Sequence, residues 1–245
     1  MQLSPLTRHL TYQLSHARHL ITRITAEGKS DDIHQFRVAI RRVRSLLQLY
    51  LDDTALFPLP LKNFVKQTNI LREIDALLST IRPERYPKTC KRLNLLRINY
   101  LHAVFTDSFK EGVISVLEQS YNALCDLNPD PETQEMISKT QEHYLQCRNG
   151  YGSLTEKSTK KEFHRLRIKF KIARYALEFL DENSAADEKE KIAECKRFQD
   201  ALGDIHDSFN HIAWLKKFYK DYPTKEILSL IKKEKKKLRK LKKKL

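Results

Sequence analysis

Two stretches of the chain, one in each half, share a single pattern. Residues 34–50 read HQFRVAIRRVRSLLQLY, and residues 164–180 read HRLRIKFKIARYALEFL. In both, apolar residues recur every three or four positions, which is the period of a helix with one buried face. The 245 residues include only 5 glycines and 8 prolines, too few for the many turns of a strand-rich fold. These features predict an all-α protein that contains an internal duplication.

Helical periodicity continues on both sides of a proline-rich linker at 128–131. We expect four helices before this linker and four after it. The expected helices cover residues 6–27, 30–51, 61–81, 88–124, 133–147, 159–181, 188–218 and 224–245. The prediction is a single domain made of two packed four-helix bundles, about residues 1–127 and 132–245, related by a pseudo-twofold axis.

Each copy of the repeated pattern has a buried face and, beside it, a row of cations. The buried faces are predicted to be Phe36, Ile40, Val43, Leu47 and Tyr50 in the first copy, and Leu166, Phe170, Ala173, Leu177 and Leu180 in the second. The cationic rows are His34, Arg37, Arg41 and Arg44, and His164, Arg167, Lys171 and Arg174. Like charges at this spacing repel each other, and residues 33–51 contain no Asp or Glu. We therefore favour two half-sites that face one polyanion over an ordinary solvated face.

Three segments together resemble a known family. They are H-x-x-R-V-x-x-R-R-x-R from His34, H-x-L-R-I-x-x-K-x-x-R-Y-x-L-E from His164, and L-G-D-I-x-D at Leu202–Asp207. This combination is similar to the CHAD domain, the conserved-histidine α-helical domain. The resemblance implies two four-helix bundles around a basic central cavity that binds inorganic polyphosphate without catalysis. It also implies that the two cationic rows line this cavity.

Some candidate residues lie outside the two rows, and some positions depart from the family pattern. Arg42 belongs to the first motif, and we add Lys88 and Arg92, one turn apart, as further candidates for contacting polyphosphate. Asn69 stands where the family has glycine, Glu73 where it has aspartate, and His206 where it has arginine. The acidic residues near these positions are expected to orient arginines.

Three alternative functions stay open from the sequence. One is nucleic-acid binding, or binding of another phosphorylated ligand, although the cationic rows lack interleaved aromatic residues. A second is a metal-dependent phosphohydrolase of the H…HD…D type, which would use His164, His206, Asp207 and Asp221. A third concerns residues 232–244, which contain ten of the cations behind the net charge of +15 and could bind an acidic membrane surface or nucleic acid.

The remaining expectations concern the environment of the protein. The four cysteines are far apart and form no C-x-x-C pair, which favours reduced thiols in the cytoplasm. No stretch of residues is apolar enough for a membrane span or a signal peptide. We expect no cofactor, no metal and no obligate protein partner. Association with polyphosphate granules is a further expectation.

Overall fold

The structure is a computed structural model that describes residues 3–24, 30–51, 59–127, 131–184 and 186–244. Within these ranges it contains ten helices and no strand. The helices are α1 Pro5–Arg23, α2 Ser30–Tyr50, α3 Leu59–Gln67, α4 Asn69–Thr80, α5 Pro87–Val104, α6 Asp107–Leu127, α7 Thr133–Gly152, α8 Lys160–Asn183, α9 Lys189–Asp221 and α10 Lys225–Lys242. The predicted all-α fold is confirmed, and three of the four linker residues, 128–130, lie outside the described ranges.

Local sequence explains where several helices begin. Ser4 accepts a hydrogen bond from the backbone N–H of Thr7 at 3.1 Å, and Pro5 opens α1. Thr159 and Glu162 form a capping box at the start of α8. Thr224 caps α10 by accepting from the backbone N–H of Ile227 at 3.3 Å.

The prediction of eight helices was wrong in the first half, where two expected helices are each divided. The third is broken at Thr68, whose hydroxyl donates to the Val65 carbonyl at 2.7 Å. The fourth is broken at Phe105 and Thr106, where the Thr106 hydroxyl accepts from the backbone N–H of Phe109 at 3.2 Å. Both breaks use a threonine side chain in place of the glycine or proline that sequence patterns usually signal.

The helices enclose three hydrophobic cores. The first joins α1, α2, α3 and α6 to the second half of α8, through Tyr175, Ala176, Phe179 and Leu180. The second combines α4 and α5 with α9 and α10, and the third lies among α7, α8 and α9, with α10 at its edge. Two of the three cores therefore contain residues from both sides of the linker.

The two helices of the repeated pattern, α2 and α8, pack directly against each other. All ten apolar residues predicted to face a core are buried, which confirms the helical phase of both copies. The duplication itself and its pseudo-twofold axis stay predictions. No described helix is long and apolar enough to cross a membrane.

Candidate functional site

A cavity of about 480 Å³ lies where α2, α4, α8 and α9 meet. Its lining includes six cationic side chains, from Arg37, Arg41, Arg44, Arg72, Arg167 and Lys171. Two carboxylates, Glu73 and Asp207, and four histidines, His34, His164, His206 and His211, complete its ionisable groups. We call this space the arginine cavity. Its cations outnumber its carboxylates, so an anion inside it would gain favourable charge interactions.

The helical period explains how the two cationic rows reach one space. On α2, residues 37, 41 and 44 are four and three positions apart, so they lie on one face; residues 164, 167 and 171 do the same on α8. Because α2 and α8 pack together, both faces border the same cavity. Seven of the eleven candidate residues line it: His34, Arg37, Arg41, Arg44, His164, Arg167 and Lys171.

Arg37 has structural partners as well as a place in the cavity. Its Nη1 donates to the Val65 carbonyl oxygen at 2.8 Å and also to the Thr68 hydroxyl, while its Nη2 donates to Asn69 Oδ1 at 2.8 Å. Burial, together with Arg41 and Arg72, lowers the pKa of Arg37 to about 10, so the side chain stays charged at neutral pH. The Arg37 guanidinium thus holds the junction of α3 and α4 together. Only some of its N–H groups are left to donate to a ligand.

Arg41 and Arg72 differ from Arg37 in the partners of their side chains. No side-chain hydrogen bond or ion pair joins either guanidinium group to another described residue. Both are only partly exposed, and both face the other cations of the cavity. These two guanidinium groups are therefore free to donate to a ligand.

Arg167 lies against the glycine of the L-G-D-I-x-D segment. A Cβ atom placed on Gly203 would lie 3.6 Å from Arg167 Nε, so a larger side chain at this position would displace the guanidinium. Arg167 Nε is buried and makes no hydrogen bond with the described residues. Desolvation is the main reason that the pKa of Arg167 is lowered. The cavity therefore holds a buried guanidinium whose donors are incompletely used.

Lys171 is the most deeply buried cation of the lining, with 8% of its surface exposed. Burial, followed by the charges of Arg41, Arg167 and Arg174, lowers the pKa of Lys171 to about 6. In the empty cavity its amine is therefore mostly neutral at pH 7. A bound anion would favour the protonated form and reverse this shift.

Two of the four cavity histidines, His164 and His206, are in contact with each other. The rings of His164 and His206 stack with centroids 4.7 Å apart, and Asn210 Nδ2 lies 3.1 Å from His206 Nε2. Burial and the charge of Arg167 lower the pKa of His206 to about 4, and the same two causes lower the pKa of His164. His34 has its pKa lowered by burial and then by Arg72 and Arg41. At neutral pH the cavity therefore contains neutral imidazoles beside charged guanidinium groups.

The other four candidate residues lie outside the arginine cavity. Arg42 and Arg174 share one carboxylate: Arg42 Nη2 is 3.0 Å from Glu178 Oε2, and Arg174 Nε is 3.5 Å from Glu178 Oε1. Lys88 is exposed near the start of α5, and Arg92 lies over the ring of Tyr222, 3.4 Å from its centroid. Arg42 and Arg174 thus belong to a cluster that one carboxylate neutralises in part, and Arg174 is the member of the second row that does not line the cavity.

Twelve lining residues were not among the eleven residues expected to contact polyphosphate. They are Ser45, Gln48, Asn69, Arg72, Glu73, Ala76, Ile168, Ile172, His206, Asp207, Asn210 and His211. The spacing of four of them, at 206, 207, 210 and 211, marks one helical face and could have identified them. His211 is itself buried, and its Nδ1 lies 3.5 Å from the Glu234 carboxylate of α10. Across the described ranges, no group of three or more His, Cys, Asp or Glu side chains is arranged to hold a metal ion.

A solved structure and a protein-family model match this chain. Its fold matches the crystal structure of the CHAD domain from the plant Ricinus communis, with a TM-score of 0.73 and 18% sequence identity, covering 98% of this chain and 86% of that one. At this identity the likeness concerns the fold. No curated protein matches the sequence. The family model of the CHAD domain matches residues 8–216, which is most of the chain. The chain therefore belongs to the CHAD domain family.

Proposed function

We propose that the arginine cavity binds inorganic polyphosphate and that the protein acts by binding, without catalysis. One observation carries the proposal: six arginine and lysine side chains from three helices converge on a single cavity, whose lining contains two carboxylates among the described residues. The CHAD family is associated with polyphosphate binding, which agrees with this chemistry. A phosphate chain carries about one negative charge per unit and no other feature, so it requires little more than spaced cations.

The arrangement of the cations suits a linear anion. Arg41 and Arg44 come from α2, Arg72 from α4, and Arg167 and Lys171 from α8, so successive phosphates can meet guanidinium groups from different helices. Each guanidinium presents parallel N–H groups that can contact two phosphate oxygens at once. Binding should release counterions and should therefore weaken as salt concentration rises.

The phosphohydrolase alternative has less support than the binding function. Its four residues are not collected around one space: His164, His206 and Asp207 line the arginine cavity, whereas Asp221 lines a different pocket. His206 also stacks on His164, and among the described residues no three His, Cys, Asp or Glu side chains are grouped so that they could hold a metal ion. Phosphate release from polyphosphate in the presence of Mn²⁺ or Mg²⁺ would revive this alternative.

Nucleic-acid binding has the same electrostatic support but less geometric support. The arginine cavity is lined by histidines but by no Phe, Tyr or Trp among the described residues, so it offers few surfaces for stacked bases. We expect duplex DNA to compete poorly with polyphosphate when both are present at equal phosphate concentration. Equal competition would favour a general polyanion-binding function.

The proposal is tested by isothermal titration with polyphosphate of the parent protein and of an Arg41→Gln/Arg72→Gln variant. These two arginines are chosen because neither is bonded to another described residue, whereas Arg37 holds the α3–α4 junction. We expect the affinity to fall at least about ten-fold, since each charge-assisted hydrogen bond contributes about 1.5–3 kcal/mol. The dependence of affinity on salt should also become less steep.

The matched control is Lys62→Gln/Lys66→Gln, which removes the same charge from two exposed residues of α3. Its affinity should stay within about two-fold of the parent value, because surface charges at a distance are screened. Equal losses in the two variants would show that net charge, and not the arginine cavity, determines binding. Unchanged affinity in the arginine variant would overturn the proposal. The proposed function also implies a cytoplasmic protein that associates with polyphosphate granules.

A further inference from the structure

A second cavity, of about 520 Å³, adjoins the arginine cavity. The two share Glu73 of α4 and Asn210 of α9 as lining residues, so they are neighbours along one wall. The second cavity is bounded by α4, α5 and α9, with Lys160 from the first turn of α8. We call it the aromatic pocket, because Tyr100, Trp214, Phe218 and Tyr222 line it.

Helix α9 connects the two spaces along one face. His206, Asp207 and Asn210 line the arginine cavity, and the next positions of the same face, Trp214 and Phe218, line the aromatic pocket. Seven residues separate Asp207 from Trp214, which corresponds to about 10 Å along the helix axis. A ribose with two or three phosphates can extend across such a distance.

The chemistry of the aromatic pocket differs from that of the arginine cavity. The rings of Trp214 and Phe218 lie with centroids 4.9 Å apart, and those of Phe218 and Tyr222 lie 5.0 Å apart. Ile70 of α4, which is 44% exposed, adds an aliphatic side chain to the lining of the same pocket. Polyphosphate has no apolar part and would make no use of these surfaces.

We propose that the protein also binds nucleoside oligophosphates, with the base in the aromatic pocket and the phosphates in the arginine cavity. This inference rests on the proposed function, because it assigns the arginine cavity to phosphates. An aromatic base is the occupant that the pocket favours: it offers a flat apolar surface to the Trp214 and Phe218 rings and polar edges to side chains such as Asn210 and Asp221. Lys160 and Lys217 line the same pocket and can contact the phosphate nearest to the ribose.

Trp214 gives the inference a direct optical test, because it is the only tryptophan of the chain. Adenosine 5′-triphosphate and tripolyphosphate carry similar charge and differ by the nucleoside. In titrations without divalent cations, we expect the nucleotide to change the Trp214 fluorescence and to bind about ten-fold more tightly than tripolyphosphate. Tripolyphosphate should bind with little change in fluorescence, since its contacts lie in the arginine cavity.

The test variant is Ala213→Phe, which places a ring into the aromatic pocket from an exposed helical position. Its matched control is Ala103→Phe, at an exposed position of α5 that lines neither cavity. By calorimetry, the test variant should lose the ten-fold preference for the nucleotide while binding tripolyphosphate as the parent does. The control variant should keep the preference.

The outcomes separate this inference from the proposed function. If polyphosphate and tripolyphosphate bind but the parent shows no preference for the nucleotide, the inference fails and the proposed function stands. If the preference persists in the Ala213→Phe variant, the nucleoside lies elsewhere and the inference also fails. If none of the three phosphate compounds binds, the proposed function fails with it.

Discussion

Lys171 shows how a single residue can couple ligand binding to pH. Its amine is buried among Arg41, Arg167 and Arg174, and its pKa is lowered to about 6, whereas a free lysine side chain titrates near 10.5. Negatively charged phosphate oxygens beside the amine would stabilise its protonated form and raise its pKa again. Such a lysine is better suited to a protein that alternates between empty and loaded forms than to one with a permanent ion pair.

We predict that polyphosphate binding near pH 8 takes up about one proton per site. At that pH the amine is neutral in the empty cavity, and so are His34, His164 and His206, whose pKa values are lowered there. The measurement is the binding enthalpy in HEPES and in Tris, whose ionisation enthalpies differ, so that proton uptake appears as a difference between the two buffers. A Lys171→Met variant should show no such difference, and a parent without it would contradict the prediction.

The same shift makes the stability of the empty protein depend on pH. Between pH 6 and pH 10.5 the unfolded chain holds a proton on Lys171 that the folded chain does not. The contribution of this residue to the free energy of unfolding therefore rises with pH across that window and is least favourable below it. The Lys171→Met variant removes this dependence, which gives it a second readout that is independent of any ligand.

At the scale of elements, the sequence predicted the faces of α2 and α8 more accurately than the lengths of the other helices. The faces follow from a strict 3.6-residue period, which the backbone alone enforces. The break between α3 and α4 could not be predicted in this way, because it contains neither glycine nor proline and depends on Arg37, which is remote in sequence. Asn210 and His211 of α9 were also missed: the helical period places them on one face with His206 and Asp207, but only the packing of α9 beside α8 shows that this face lines the cavity.

We predict that an Arg37→Met variant loses about 1–3 kcal/mol of unfolding free energy, measured by urea denaturation in the absence of ligand. The substitution leaves the Val65 carbonyl, the buried Thr68 hydroxyl and the Asn69 amide without their charged donor.

The control for this prediction is Arg41→Met on the same helix, which removes an equal charge but no bond to a described residue. Its stability should equal or exceed that of the parent, because like-charge repulsion in the cavity decreases. Equal losses in both variants would mean that the α3–α4 junction does not depend on Arg37.

At the scale of the whole molecule, charge is distributed between an interior cavity and an exposed helix. Helix α10 carries most of the lysines of residues 232–244, and none of them lines the arginine cavity. Its apolar residues Leu238 and Leu241 pack against the third core, and Glu234 faces His211. Deleting residues 234–245 would therefore disturb the core as well as the charge, so substitutions are the better test of the lysines.

We predict that Lys232→Gln/Lys233→Gln/Lys235→Gln/Lys236→Gln discriminates between ligands by length. All four side chains are exposed, and only a chain that extends beyond the cavity can reach them. Affinity for tripolyphosphate should stay within about two-fold, while affinity for long-chain polyphosphate should fall several-fold and depend less steeply on salt. Equal losses for both ligands, measured by calorimetry, would instead indicate a general effect of net charge.

The arrangement of the helices could be predicted only in part from the sequence. Composition and periodicity sufficed for the all-α class, because few other folds tolerate so little glycine and proline. They did not predict that two of the three cores would mix residues from both sides of the linker. Core membership depends on which helices meet in space, and periodicity specifies only which face of each helix is apolar.

The contact between α2 and α8 is apolar at one end and cationic at the other, and this difference affects the folding kinetics. The second half of α8 supplies Tyr175 and Phe179 to the first core, while its first half brings Arg167 and Lys171 toward the cations of α2. Apolar contacts can form early in folding because they are favourable at once, whereas the cationic ends approach against repulsion. Interactions that form after the transition state affect the unfolding rate more than the folding rate. A polyanion in the arginine cavity would thus slow unfolding while leaving the rate of folding nearly unchanged.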